Sequence, residues 1–210
     1  MPVPDAAKFA PLNQAVPADA PAGSYQSKTV KSKVKTSTAL SIIDSPDNKP
    51  SIKTRKVAVL AANGFDEKSL RVVKDAIESA GGSIRLIAPK MGFIKSDAGG
   101  EYAVDYCLLN AASVLFDSVL IAGGAASAAA FAKEGSALHF INESFKHLKA
   151  IAALGEGETV FKASGAAAYA NGDKAIVLGS DAKTVAAKFI EAMSTHRNWA
   201  RSAVADSVPA

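Results

Sequence analysis

The residues best placed for chemistry lie in AIAALGEGETVF, residues 150–161. An apolar run meets a glycine-rich turn and then the start of a helix. In many α/β proteins such a turn holds a nucleophile, because the strained backbone pushes one side chain into the cleft. Here the turn is Leu154-Gly155-Glu156-Gly157, with neither Ser nor Cys. Gly155 has no side chain to present. Glu156 has the chemistry of a general base or a nucleophilic carboxylate. The plainer reading is an acid held at a helix N-terminus by the macrodipole.

Five other groups invite the same question. Asp66 and Glu67 follow a strand-like run, and a carboxylate there could pair with Glu156 as a raised-pKa acid and base. Asp66 also reads as the N-cap of the helix after it. Gly123-Gly124 sits between a strand and a helix, where its amides suit an anion or an oxyanion. The spacing matches neither GxGxxG nor a P-loop, so a tight turn is the simpler reading. Cys107 falls in AVDYCLL. Alternation there sets Tyr102, Val104, Tyr106 and Leu108 on one face and Cys107 on the other, as a structural thiol. His139, Glu143 and His147 recur every fourth residue. That is ligand-like spacing, but on one helix it drifts about 40° per step and reads as a solvated polar stripe. Near the end, His196, Arg197, Trp199 and Arg201 form either an exposed aromatic-basic patch or a segment folded back on the domain.

The elements that must position these groups alternate along the chain. KVAVLAA, SIRLIAP, DSVLIAGG, AIAALG and KAIVLG are apolar runs suited to parallel strands covered on both faces. Between them lie helical stretches with an inner face at 3.6-residue spacing. These are Leu70, Val73, Ile77 and Ala80; then Leu138, Ile141, Phe145 and Leu148; then Val185, Phe189 and Met193, with Asp181 as N-cap. FIKSDAGGEYAVDYCLL reads as two short strands around a Gly-Gly turn. This order predicts an α/β fold: a flavodoxin-like, doubly wound three-layer sandwich with a mostly parallel sheet. Its site should lie beyond the C-terminal strand ends, where the loops NGFDE, GGAAS and GEGE gather. We expect that cleft to be filled or shallow.

Composition narrows the class. Seven of the nine prolines lie in the first 50 residues, so residues 1–52 read as a flexible, basic, Pro-rich linker and residues 53–210 as the domain. The chain's net charge is +4, and it sits in that leader. The domain is near neutral, which argues against nucleic acid as a partner. No apolar run approaches the length of a membrane span, and no signal peptide is visible, which leaves the compartment open. A single cysteine excludes an internal disulfide.

Two families resemble this chain. VAVLAANGFDE, VLIAGGAAS and IAALGEG are distantly similar to the class I glutamine amidotransferase-like superfamily, which includes intracellular peptidases, deglycases and glyoxalases. In that pattern Asp66 takes the carboxylate position, shortened from the usual Glu. Gly123 and Gly124 match the Gly-Gly. Gly155 stands where the elbow Cys belongs, and Glu156 where a His often follows. The departure removes the nucleophile and implies a vestigial elbow of Asp66, Gly123, Gly124, Gly155 and Glu156.

SIKTRKVAVLAANGFD, FKHLKAIAALGEG and MSTHRNWAR…VPA more closely resemble the C-terminal domain of large-subunit haem catalases, over roughly residues 40 to 210. This resemblance implies a fragment of a longer chain, with haem and peroxide decomposition in a core outside it. It also implies no cofactor or metal in this part. The partners would be that core and neighbouring subunits, and the role would be stabilising the subunit or tetramer and shaping access to the haem channel. A chaperone-like holdase activity on unfolded clients is a further expectation, resting on the leader and the Ala-rich AASAAAFA. The alternatives are an amidotransferase-like hydrolase, deglycase or glyoxalase using Glu156 or Cys107, and, by fold alone, a flavin or nucleotide binder.

Overall fold

A computed structural model describes residues 40–41 and 50–209. Apart from residues 40, 41 and 50–52, the linker assigned to residues 1–52 lies outside the described residues. Ile52, placed in that linker by sequence, is 2% exposed and packs into the core.

Six parallel strands form the sheet: β1 (Lys56–Leu60), β2 (Ser83–Ala88), β5 (Tyr106–Cys107), β6 (Ser118–Ile121), β7 (Ala150–Leu154) and β8 (Ile176–Gly179), in the order β5-β2-β1-β6-β7-β8. A separate antiparallel hairpin pairs β3 (Phe93–Lys95) with β4 (Glu101–Ala103). Central strands β6 and β7 are buried throughout, as continuous apolar runs require of a sheet covered on both faces. α1 (Glu67–Ser79) and α5 (Ala182–Ser194) cover one face. α2 (Ala125–Ala132), α3 (Gly135–Lys146) and α4 (Gly157–Ala163) cover the other. The doubly wound α/β sandwich expected from the sequence is the one observed. No described helix is long and apolar enough to cross a membrane.

The local signals act through named bonds. Asp66 caps α1, its Oδ1 accepting from Ser69 N at 3.0 Å. Asp181 caps α5, accepting from Thr184 N at 2.9 Å. Three places differ from the sequence reading. The alternation over Tyr102–Leu108 is not one strand: β4 stops at Ala103, and β5 is a separate two-residue strand on β2. Asp105 makes the break, because its carboxylate accepts from Leu86 N at 2.7 Å, where a strand carbonyl would pair. Leu148 lies beyond the end of α3 at φ 59, so the chain has already turned before it reaches the core. Ala80 likewise ends α1 as its C-cap and is exposed.

Candidate functional site

The three glycine-bearing loops meet at the C-terminal ends of β1, β6 and β7, and two hydrogen bonds bind them. Asp66 N donates to Gly123 O at 3.0 Å. Gly124 N donates to the Glu156 carboxylate at 3.0 Å. Gly124 is at φ 100, and a Cβ there would lie 2.2 Å from Gly64 O, so only glycine allows the loops to approach so closely. Asp66, Gly123, Gly124 and Glu156 are thus brought together. The anion over the Gly-Gly amide is the chain's own carboxylate.

Gly155 opens the turn that follows β7. Its φ is 48, in the left-handed region where strained elbow residues sit, and its N–H donates to Gly179 O at 2.9 Å. A Cβ built on it meets nothing within 4 Å. Gly157 is the opposite case, since a Cβ there would lie 2.8 Å from Ala122 O.

The electrostatics at Glu156 oppose acid catalysis. The Gly124 amide, with Glu156's own amide behind it, lowers the carboxyl pKa, while burial and the Asp66 charge oppose it more weakly. The sequence allowed an acid with a raised pKa; the structure gives a carboxylate held ionised. Asp66 is occupied as a cap. Glu67 turns away from the cleft. Its carboxylate accepts from Ser96 Oγ at 2.5 Å and pairs with Arg71. Hydrogen bonds from Ser96 and Tyr102 lead in holding its pKa down.

The remaining candidates lie elsewhere. Cys107 is 9% exposed at the sheet edge, with its N–H donating to Asn110 Oδ1 at 2.9 Å. It stands four strands from β7, about 19 Å at the usual strand spacing, too far to serve the elbow. Glu143 on α3 and His147, the residue that caps its C-terminus, pair at 3.4 Å. Among the described residues no group of three His, Cys, Asp or Glu is arranged to hold a metal.

The C-terminal segment divides. Trp199 is 63% exposed, whereas Arg201 is 2% exposed and folded inward. Arg201 Nε donates to Asp173 Oδ2 at 2.5 Å. Its Nη1 donates to Lys149 O at 2.7 Å, and the guanidinium lies 4.4 Å above the Phe145 ring. Sequence reasoning missed this anchor. Arg201 and Asp173 are 28 positions apart, and each sits in a polar stretch with no periodicity to mark it.

Comparison with known proteins adds the family. Residues 53–203 match the family model described as the C-terminal domain found in long catalases. The chain is 36% identical over 189 residues to Catalase HPII of Pseudomonas putida, covering 90% of this chain and 25% of that protein. It is 34% identical over 159 residues to Catalase HPII of Pseudomonas aeruginosa, covering 76% of this chain and 22% of that protein. The chain therefore spans about a quarter or less of these relatives. Among solved structures, a ThiJ/PfpI domain protein from Brachyspira murdochii superposes with a TM-score of 0.59 at 15% identity, covering 68% of this chain and 98% of that one. At that identity the likeness concerns the fold alone.

Proposed function

Since this chain belongs to the family of C-terminal domains of long catalases, we propose that it is a non-catalytic domain of a haem catalase. It stabilises the subunit or tetramer by packing on the peroxide-decomposing core, and it shapes access to the haem channel. The observation that carries this reading is Gly155. An elbow at φ 48 with open space beyond it has kept its backbone and has no nucleophile. Gly124 N, a donor suited to an oxyanion, is taken by Glu156.

His139, His147, His196, Tyr102 and Tyr106 are not arranged to hold a haem. His139 and His147 are exposed on α3, and His196 Nδ1 is hydrogen-bonded to Arg55 at 2.5 Å. The Tyr102 and Tyr106 rings pack edge-on against Phe65 and Phe116. None of these offers an axial ligand facing a slot. Haem belongs, in this reading, to the core of the parent chain.

The competing reading is an amidotransferase-like enzyme that uses Glu156 or Cys107. Peptidase, deglycase and glyoxalase assays on the wild type, Glu156→Gln and Cys107→Ala separate the two. Background rates in all three support the structural role. An activity abolished by either substitution would transfer the domain to the enzymes.

A further inference from the structure

The sheet has two edges, and β8 forms one of them. Its main chain is half used. Ala175 O accepts from Ile151 N at 2.8 Å and Gly179 O accepts from Gly155 N at 2.9 Å, so the odd-numbered residues face β7. In a parallel ladder the intervening residues point their N–H and C=O the other way. Leu178 N–H and C=O, with Ile176 C=O, therefore face outward.

They face a groove of about 630 Å³. Ala175, Val177 and Ala192 give its apolar lining on the α5 side, Ile176 and Leu178 line it along the strand edge, and Lys174, Lys188 and Arg197 stand against a single Glu191. Neither Lys174 nor Lys188 is ion-paired to a described residue. Proteins often guard a bare edge with lysine. Here the lysines border a groove with an apolar lining and main-chain donors and acceptors that no described residue takes.

We propose that the edge of β8, which no described strand pairs, is a docking site for an extended, acidic peptide segment of a partner protein, added as a seventh strand. Main-chain bonds to Leu178 and Ile176 fix the register. Alternate apolar side chains of the segment enter the groove, and its carboxylates meet Lys174, Lys188 and Arg197. A second copy of this chain is a poor occupant, because edge-to-edge pairing would bring the two cationic rims together. The inference does not depend on the absence of chemistry at the elbow.

The probe is a dye-labelled, end-blocked octapeptide alternating Glu and Val, titrated against the full 210-residue chain at low salt. Anisotropy should saturate, and Lys174→Glu/Lys188→Glu should weaken binding at least about tenfold. Leu178→Pro removes an edge N–H without breaking a ladder bond, so it should abolish binding and leave the thermal melt in place. Because that variant could also disturb the fold, amide hydrogen exchange on the wild type gives an independent reading: Leu178 N–H should become protected in the complex. Four results would overturn the proposal. They are no saturation up to about 1 mM peptide, a Leu178 amide left unprotected, equal binding of the Lys-for-Glu peptide, and displacement by a short single-stranded oligonucleotide.

Discussion

Replacing Arg201 by Met tests whether the C-terminal segment is an integral part of the fold. The Arg201 side chain is 0% exposed and its partner Asp173 is 7% exposed. The substitution deletes the bond to Asp173 Oδ2 at 2.5 Å and those to the carbonyls of Lys149 at 2.7 Å and Phe145 at 3.3 Å. Met keeps much of the apolar stem, so the packing loss is small. The cost comes from the stranded carboxylate. Its Oδ1 retains Asn198 Nδ2 at 2.6 Å and Ala175 N at 2.8 Å, while Oδ2 loses its donor. Breaking one side of a buried pair costs about 3–5 kcal/mol, and the two surviving bonds place this case near 3. In a domain of this size that lowers Tm by about 6–12 °C. Urea unfolding of the full chain, followed by circular dichroism, measures it. Adding Asp173→Asn removes the stranded charge and should recover part of the loss, giving a clear coupling energy. A loss below about 1 kcal/mol, or strict additivity, refutes the argument.

Two further outcomes follow from the same structure, and a third tests the chaperone expectation. Burial, then Arg197, pulls the Lys149 amine from 10.5 to about 8, against the opposing pull of Asp117 and Glu143. Below about pH 8 both folded and unfolded chains hold the proton and the penalty is full. From there to 10.5 the unfolded chain binds more protons, so stability rises with pH. Relative to Lys149→Met, the wild type should gain about 1–2 kcal/mol between pH 7 and 10.5 in urea melts, after discounting for screening; a flat difference contradicts this. Gly155→Ala should cost only about 1–2 kcal/mol of backbone strain, whereas Gly124→Ala, whose Cβ would sit 2.2 Å from Gly64 O, should cost more than twice that in thermal melts. If the domain is also a holdase, an equimolar amount should suppress the light scattering of a heated client, and unchanged scattering removes that role.

What the sequence made legible were the features governed by local rules. The apolar runs of β1, β6 and β7 mark buried parallel strands, and Asp66 and Asp181 announce the helices they cap. The meeting of Gly124 and Glu156 was legible only as a shared end of the sheet, because the topology places their loops side by side and nothing local sets the 3.0 Å bond. Where one side chain overrides the pattern, the reading failed. Asp105 replaces a strand carbonyl and divides an apparent strand into β4 and β5. Arg201 becomes a core residue because Asp173, far away in the chain, receives it. The groove beside β8 was invisible for a similar reason, since edge status belongs to the sheet order and no single strand encodes it.

The proposal to be tested is that this domain contributes structure and no chemistry to a parent catalase. The most direct test compares the parent catalase with and without the domain, each loaded with haem, for peroxide turnover per haem and for thermal inactivation. The account predicts similar turnover per haem at moderate temperature, with markedly faster inactivation and tetramer loss in the shortened chain. Equal heat resistance in the two, or a shortened chain that is fully stable but has lost turnover, would contradict it.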